Sequence, residues 1–363
     1  MSSLTIAHVS TQRGWHGGEE QARLLCEGLR RHGHKNLIFA REDGQFGQRM
    51  RELGFEVHDV QGSCRTLRAI WSMRQAWRKL RPDVVHFHDP HALSGGGLAA
   101  LGLGIPARIA ARRANYPIHF AWRYRFLVDR VIAVSRTVGD VCRASGVAEG
   151  KIRIVCDGVD PRRAQSGDRQ RGRAALGIQD ETLLLTVATL TDAKGHTYLL
   201  QALPRVLRQH PDVLLALAGD GELREQLAQL AQQLGVADRV RFLGYREDVP
   251  DLLKGADLFV LPSHMEGLCS TLIDVMFAQI PIVATTAGGI PELVGGVNNE
   301  PPVGWQVPPR DPEALADAIL RALASQSASK EFVQRAEARA NLLFTDEQMV
   351  EGTLRVYREL VPQ

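Results

Sequence analysis

The chain has 363 residues, 44% of them apolar, with 44 Lys/Arg against 41 Asp/Glu. That fits a soluble globular protein of about two domains. The five cysteines (Cys26, Cys64, Cys142, Cys156, Cys269) are scattered without a CxxC pair, which excludes a disulfide framework or a cysteine zinc site and suits a reducing compartment.

The start, MSSLTIAHVSTQRG, lacks a signal-peptide apolar region. No apolar run approaches the roughly 18–20 residues of a membrane span. The net charge of +3 hides a split. Residues 1–160 hold 24 basic and 15 acidic residues, a balance of +9, and the rest hold 20 and 26, a balance of −6. A basic first half is expected to meet something anionic.

In chain order, LTIAHVS (4–10) reads as a buried strand and EQARLLCEGLRRHGH (20–34) as a helix stopped at Gly33. KNLIFA and EVHDV follow as strands, then a helix at 65–81 and the strand DVVHFH (83–88). RIAAR (108–112), RVIAVS (130–135) and KIRIVCDGVD (151–160) close the series. The polar segment 161–181 reads as a linker. Alternation then restarts: TLLLTVATL, VLLALAGDG, VRFLGY, DLFVLPS and PIVATT are strands separated by helix-length stretches. The fold class is therefore α/β, two doubly wound Rossmann-like domains with parallel sheets. Residues 1–165 form the first, 166–345 the second, and 346–363 a terminal helix packing back on the first.

Ligands of open parallel sheets bind outside the carboxyl ends of the strands, so the strand exits come next. Gly17-Gly18 precedes a helix whose first turn holds Glu19 and Glu20. Glycines admit close backbone approach, and a helix N-terminus suits a phosphate; the alternative is a flexible loop with an acidic helix start. The pattern is not GxGxxG, so no dinucleotide fingerprint is present. Around DVVHFHDPH the histidine spacing is no zinc pattern. His86 reads as a core histidine, while His88 and Asp89 fall at the lip. Lys194, just before Gly195, can reach a phosphate as a mobile point charge, or be a solvated loop lysine. Gly219 and Gly221 bracket a tight turn. The richest exit is HMEGLCSTLID (264–274). Glu266 leaves a strand, Gly267 to Cys269 expose backbone N–H groups, Ser270 or Thr271 caps the next helix, and Asp274 lies about one turn inside it. Acceptors at both ends with donors between would suit a nucleotide sugar. A capped helix with two incidental acids is the alternative.

The run EGLCSTLIDVMFAQIPIVATTAGGIPELV resembles the signature of retaining glycosyltransferase family 4, of GT-B fold: an E-x7-E element, a strand, then GG-x-x-E. GWHGGEEQARLLCEGLRRHGH, RVIAVSRTV, KIRIVCDGVD, VATLTDAKGH, ALAGDGELREQL and VGWQVPPRDPEALADAI are similar to further family blocks, in order along most of the chain. The resemblance implies two domains facing a central cleft, the first binding acceptor and the second a nucleotide-sugar donor. It places Gly17 and Gly18 against the donor, and Lys194 on the diphosphate as leaving-group stabiliser. Glu266 would hold the sugar, and Gly267, Leu268, Cys269, Ser270, Thr271 and Leu272 would offer the backbone around it. Asp274 would bind the ribose, and Gly244 would lie near the base. Glu266 and Lys194 form the catalytic pair; no general base is named. Three departures stand out: Asp274 replaces Glu, Thr189 stands where an arginine is usual, and AARRANYP replaces a T-x-H element. Arg112 and Arg113 of that run, with His88 and Asp89, are candidates for phosphate or an anionic acceptor.

A leaving nucleoside diphosphate gains negative charge, which fixed cations and aligned N–H groups stabilise. No side-chain cluster demands a metal, so a metal-independent transfer with no cofactor beyond the donor is expected. The rival readings are a GT-B epimerase or phosphorylase and a non-catalytic GT-B scaffold. RTLRAIWSMRQAWRKLR (65–81) holds six basic residues, two tryptophans and no acid. It suits an anionic membrane surface, or is a solvated helix with its tryptophans in the core. The membrane reading implies a glycan or lipid-linked acceptor, as in lipopolysaccharide, exopolysaccharide or glycolipid synthesis, and a cytoplasmic place at the inner face of the membrane. No nucleic-acid module is visible, so nucleic acid is not an expected partner.

Overall fold

Val213–Ala218 (VLLALA) and Leu258–Leu261 (LFVL) are apolar throughout, and every residue in them is buried. Such runs mark strands covered by helices on both faces. The computed structural model describes residues 3–62, 64–296 and 300–361. In it the first sheet contains β1 (Thr5–Ser10), β2 (Lys35–Arg41), β3 (Glu56–Val60), β4 (Val84–Phe87), β5 (Ala107–Arg112), β6 (Arg130–Ala133) and β7 (Ile152–Ile154). Their order is β3-β2-β1-β4-β5-β6-β7, all pairs parallel. The second sheet contains β8 (Thr182–Val187), β9 (Val213–Ala218), β10 (Val240–Gly244), β11 (Leu258–Leu261), β12 (Ile282–Thr285) and β13 (Trp305–Val307). Its order is β10-β9-β8-β11-β12-β13, again parallel throughout.

Each sheet reverses its winding once, between β1 and β4 in the first and between β8 and β11 in the second. A doubly wound sheet opens its ligand crevice at that reversal, at the carboxyl ends. The exits of β1, β4, β8 and β11 are therefore the places that matter.

The chain divides into two units, 1–158 with 346–363, and 159–345. The division falls before the 161–181 segment, which is not a solvated linker. Val159 donates its N–H to Phe344 O at 3.0 Å, and the helix Pro161–Gln165 packs on the helix Ser270–Ala278. The helix Arg169–Ala174 follows, with Arg171 paired to Asp251, and Arg169 and Arg173 paired to Asp257. A Cβ on Gly172 would lie 1.9 Å from Asp251 O, so only glycine admits this approach. The charges that suggested a linker are internal pairs of the second unit.

The helix Asp346–Arg358 belongs to the first unit. Its Val350, Leu354 and Tyr357 share one core with Leu25 and Leu29 of the helix Gly17–Arg31 and with Ile6 and Val84 of the sheet. Gly28 faces Val350, where a Cβ would stand 2.3 Å from Cγ2. Arg31 pairs with Asp346 at 2.6 Å beside that contact.

Candidate functional site

In the second unit, the chain leaving β8 makes a short turn, Asp192–Lys194, and ends on Gly195 at φ +67°. A Cβ there would lie 2.1 Å from Pro262 O, so glycine lets the β8 exit press against the β11 exit. His264 and Met265 donate their N–H groups to Ala193 O at 2.9 and 3.2 Å. This brings two distant side chains together: Lys194 Nζ donates to Glu266 Oε1 at 2.6 Å. Ser263 Oγ donates to the same oxygen at 3.0 Å, and Thr285 Oγ1, from the end of β12, donates to Ser263 O. Glu266 is only 7% exposed. Burial opposes the Lys194 charge, yet the facing Glu266 carboxylate outweighs it and holds the ammonium's pKa above its ordinary value. Both side-chain bonds to Glu266 fall on Oε1, which leaves Oε2 for the hydroxyls of a ligand.

The next residues differ from expectation. Neither Ser270 nor Thr271 caps the helix Ser270–Ala278: the cap position is Cys269, at φ +77°, and no side chain bonds there. Serine and threonine favour caps in extended backbone, whereas here the chain turns through the left-handed region. Burial, then the Glu266 charge, pushes the Cys269 thiol up to about 12, so it stays neutral at ordinary pH. Leu268 and Leu272 are buried, and Gly267 and Asp274 are half-buried. Gly244, at φ +66°, ends β10 and accepts the N–H of Gly219 at 2.8 Å. Gly219 itself is structural, since a Cβ would lie 2.0 Å from Ala188 O.

Sequence reasoning gave no role to three neighbours of this pair. Ser263 and Thr285 hold Glu266 as described. His196 opens the next helix, is buried, and has no hydrogen-bond partner on either ring nitrogen. Burial, then Lys194, lowers its pKa to about 4. The signal for Ser263 lay in its place directly after the buried run LFVLP.

In the first unit, Gly17 and Gly18 open the helix Gly17–Arg31, and Glu19 returns to its start: Glu19 Oε2 accepts the His16 N–H at 3.2 Å. Glu19 is buried, and that burial raises its pKa. This helix end thus already carries a carboxylate. A Cβ on Gly18 would meet nothing within 4 Å. Asp89 is a capping residue: its Oδ1 accepts from the N–H groups of His91 and Ala92, both at 2.8 Å, and its Oδ2 from Thr11 N–H at 2.7 Å.

His88 sits in a buried imidazole stack with His8 and His86. The amide of Asn36 donates to Cys26 O and His34 O, so its Oδ1 accepts from His8 Nε2–H. His8 Nδ1 then accepts from His88 Nε2–H at 3.0 Å, which leaves His88 Nδ1 a bare lone pair without partner. His86 Nδ1 meets the Tyr357 hydroxyl at 2.6 Å. Burial lowers the pKa of all three rings. Arg112 is buried, donates to Tyr116 O and lies 4.5 Å over the Tyr116 ring. Arg113 Nε donates to Asp157 Oδ1 at 3.2 Å. Arg112 Nε and Arg113 Nη1 are buried without partners. Of the four first-unit candidates, His88, Arg112 and Arg113 therefore retain bonding capacity, while the Asp89 oxygens are engaged in the fold.

Among the described residues, His8, His86 and His88 form the one group spaced for a metal, with ligand atoms within 4.8 Å of one another. Neutral imidazole is the metal-binding form. Both nitrogens of His8, however, are already hydrogen-bonded, so the group is a hydrogen-bonded stack rather than an open ligand set.

Two doubly wound sheets with charged groups at a switch point fix the fold class but not the reaction, and comparison with known proteins supplies the class of protein. Residues 168–339 match the family model of Glycosyl transferases group 1, and residues 15–163 that of Glycosyltransferase Family 4. A D-inositol 3-phosphate glycosyltransferase of Corynebacterium jeikeium is 30% identical over 80% of this chain and 70% of that protein. The lipopolysaccharide core biosynthesis mannosyltransferase LpsB of Rhizobium meliloti is 27% identical over 71% and 74%. An uncharacterized glycosyltransferase of Methanocaldococcus jannaschii is 30% identical over 63% of this chain, which spans 60% of that protein's length. The crystal structure of Anabaena HepE in complex with UDP-glucose superposes with a TM-score of 0.85 at 21% identity, over 98% of this chain and all of that one. The chain belongs to the GT-B glycosyltransferase superfamily.

Proposed function

We propose that the protein transfers a sugar from a nucleoside-diphosphate donor to an acceptor hydroxyl, with retention of anomeric configuration. The observation that carries this is the Lys194–Glu266 pair at the β8/β11 switch point. A pre-formed ammonium there faces the place where a diphosphate leaving group would gain charge, and it needs no reorganisation at the moment of reaction. Lys194 binds the diphosphate. Glu266, fixed through Oε1 by Lys194 and Ser263, offers Oε2 to the donor sugar's hydroxyls. The backbone of Gly267–Leu272 lines the sugar and phosphates, Asp274 takes the ribose, and Gly244 lies towards the base. In the first unit, Gly18 has open space beside it, and Arg112, Arg113 and His88 have bonding capacity for an anionic acceptor. The charge work rests on Lys194 and backbone N–H groups, and no metal or cofactor enters the scheme.

The names of similar proteins support this reading. HepE has been crystallised with UDP, with UDP and glucose, and with UDP-glucose, and several relatives are named glycosyltransferases. LpsB supports a cell-envelope glycan as acceptor. The test is thermal unfolding with a panel of nucleoside diphosphates and their sugars, followed by product analysis by NMR. A ligand at a hundred times its Kd stabilises by roughly 2.7 kcal/mol, so the true donor raises Tm by several degrees and yields a product of unchanged anomeric configuration. No shift with any nucleotide overturns the transferase reading, and an inverted product overturns retention alone.

A further inference from the structure

Residues 61–128 carry eleven Lys/Arg and only two Asp/Glu, Asp83 and Asp89. Both acids are engaged internally: Asp83 accepts the Thr5 N–H at 2.7 Å, and Asp89 caps the helix Pro90–Ala100. The structure separates the two tryptophans of the helix Leu67–Leu80. Trp77 is buried against Phe39, with ring centroids 5.5 Å apart. Trp71 is 64% exposed, and Leu67, one turn earlier, is 86% exposed. The core reading thus holds for one tryptophan and fails for the other.

A second segment adds apolar surface that the sequence reading did not weigh. Phe120, Trp122 and Phe126 are each about half exposed or more, around the short helix Trp122–Phe126. Both segments rest on the helix Pro90–Ala100. Arg123 Nη1 donates to Ser94 Oγ at 2.6 Å, and Arg74 Nη1 donates to Ala99 O at 3.0 Å. Ile70, Leu98, Phe120 and Trp122 line one apolar hollow with Arg65 and Arg123 at its edge. Arg68, Arg78, Lys79 and Arg125 are exposed on the same two segments.

Large apolar groups rarely gather on a soluble surface without a partner. Indole and phenyl rings among arginines match a layer that is apolar below and anionic above. We propose that this face of the first unit docks on an anionic lipid bilayer, with Leu67, Trp71, Phe120 and Trp122 entering the interface and the arginines meeting lipid phosphates. Charge complementarity selects this occupant: residues 61–82 and 90–128 contain no acid, and a surface of one sign fits a continuous field of phosphates. The proposal is independent of the sugar-transfer reading, and places any such activity where lipid-borne acceptors lie.

The test is cosedimentation of the full chain with vesicles of phosphatidylcholine alone, and of phosphatidylcholine mixed with phosphatidylglycerol. Binding to the mixed vesicles only, weakening as salt rises, is expected. Arg68→Ala with Arg125→Ala should weaken the partition roughly five-fold for each charge removed, and Trp71→Ala with Trp122→Ala should weaken it without altering the salt dependence. An unchanged Tm, and an unchanged Tm shift with nucleoside diphosphates, show that these variants fold and keep the donor test separate. Equal binding to both vesicles, binding to neither, or variants that bind as wild type overturn the proposal. So does a dimer of the chain that these variants dissolve while lipid binding stays the same.

Discussion

The two sheets share a winding and differ in how their switch points are furnished. In the second unit, Lys194, Glu266, Ser263 and Thr285 form a continuous run of hydrogen bonds through a buried carboxylate. In the first, neutral imidazoles and guanidinium groups leave His88 Nδ1, Arg112 Nε and Arg113 Nη1 without partners. A buried polar atom left unbonded costs about 1–3 kcal/mol. The second site satisfies its buried carboxylate, and its unbonded atoms are the two ring nitrogens of the neighbouring His196. The first leaves such atoms on the His88 imidazole and on two guanidinium groups whose other nitrogens hold Tyr116 O and Asp157.

The sharpest way to break that comparison is Lys194→Ala. Glu266 would keep only Ser263 as a side-chain partner, and removing one member of a buried pair costs roughly 3–5 kcal/mol. With the donor identified by the thermal panel, initial rates should show kcat lowered about 10²–10³-fold, the scale of losing one transition-state donor. Glu266→Gln retains an acceptor oxygen and should cost less stability while still abolishing most turnover. If Lys194→Ala leaves both rate and Tm near wild type, the pair is not the centre of the site. Arg113→Ala leaves the buried Asp157 carboxylate without its ion-pair partner, so it should lower Tm as well. Arg113→Lys keeps the charge, and a rise in the acceptor KM in that variant without a matching fall in Tm would tie the guanidinium to the acceptor.

A second difference is tested by acid. His8 in the first unit and His196 in the second are both held near pKa 4, chiefly by burial; Asn36 partly offsets this at His8, and Lys194 adds to it at His196. Both folded values lie below the unfolded value of about 6.5. The unfolded chain then binds protons more readily, so each contribution is complete above roughly pH 6.5 and is lost as pH falls through 4. Each amounts to about 3 kcal/mol across that window. Unfolding followed from neutral to acid pH should show a stability slope that His196→Leu flattens. An unaltered slope in His196→Leu would mean that His196 is not held neutral by burial.

How much of this was legible follows from what each pattern can encode. The parallel α/β class was readable because strands such as VLLALA and LFVL are apolar on both faces. The Lys194–Glu266 bond joins residues 72 apart, and only the order β8-β11 makes their exits adjacent, which periodicity does not reveal. The cap of the helix Ser270–Ala278 was misread because residue preference favours serine, while the backbone places Cys269 at φ +77°. The helix Pro90–Ala100 was not foreseen: Gly95, Gly96 and Gly97 are poor helix formers. They are needed there, because a Cβ on each would come within 1.9, 2.6 and 2.8 Å of Cys64 O, Phe87 and Leu127. Tertiary contact overrode local preference.

The smallest effect concerns the chain's return to its first unit. Tyr357 is fully buried, and its hydroxyl meets His86 Nδ1 at 2.6 Å, with the two rings edge to face at 5.8 Å. Tyr357→Phe keeps the packing and removes one hydrogen bond, leaving His86 with no partner on either nitrogen. Calorimetry should show a loss of about 1–2 kcal/mol, a fall of several degrees at most in a unit of this size. Tyr357→Ala adds a cavity and should cost about 3–5 kcal/mol. The pair of variants separates two roles of one side chain. A loss in Tyr357→Phe equal to that in Tyr357→Ala would make the hydroxyl, and so the imidazole stack behind it, the tie that holds the terminal helix. A negligible loss in Tyr357→Phe would assign the tie to the apolar face shared by Val350, Leu354 and the helix Gly17–Arg31.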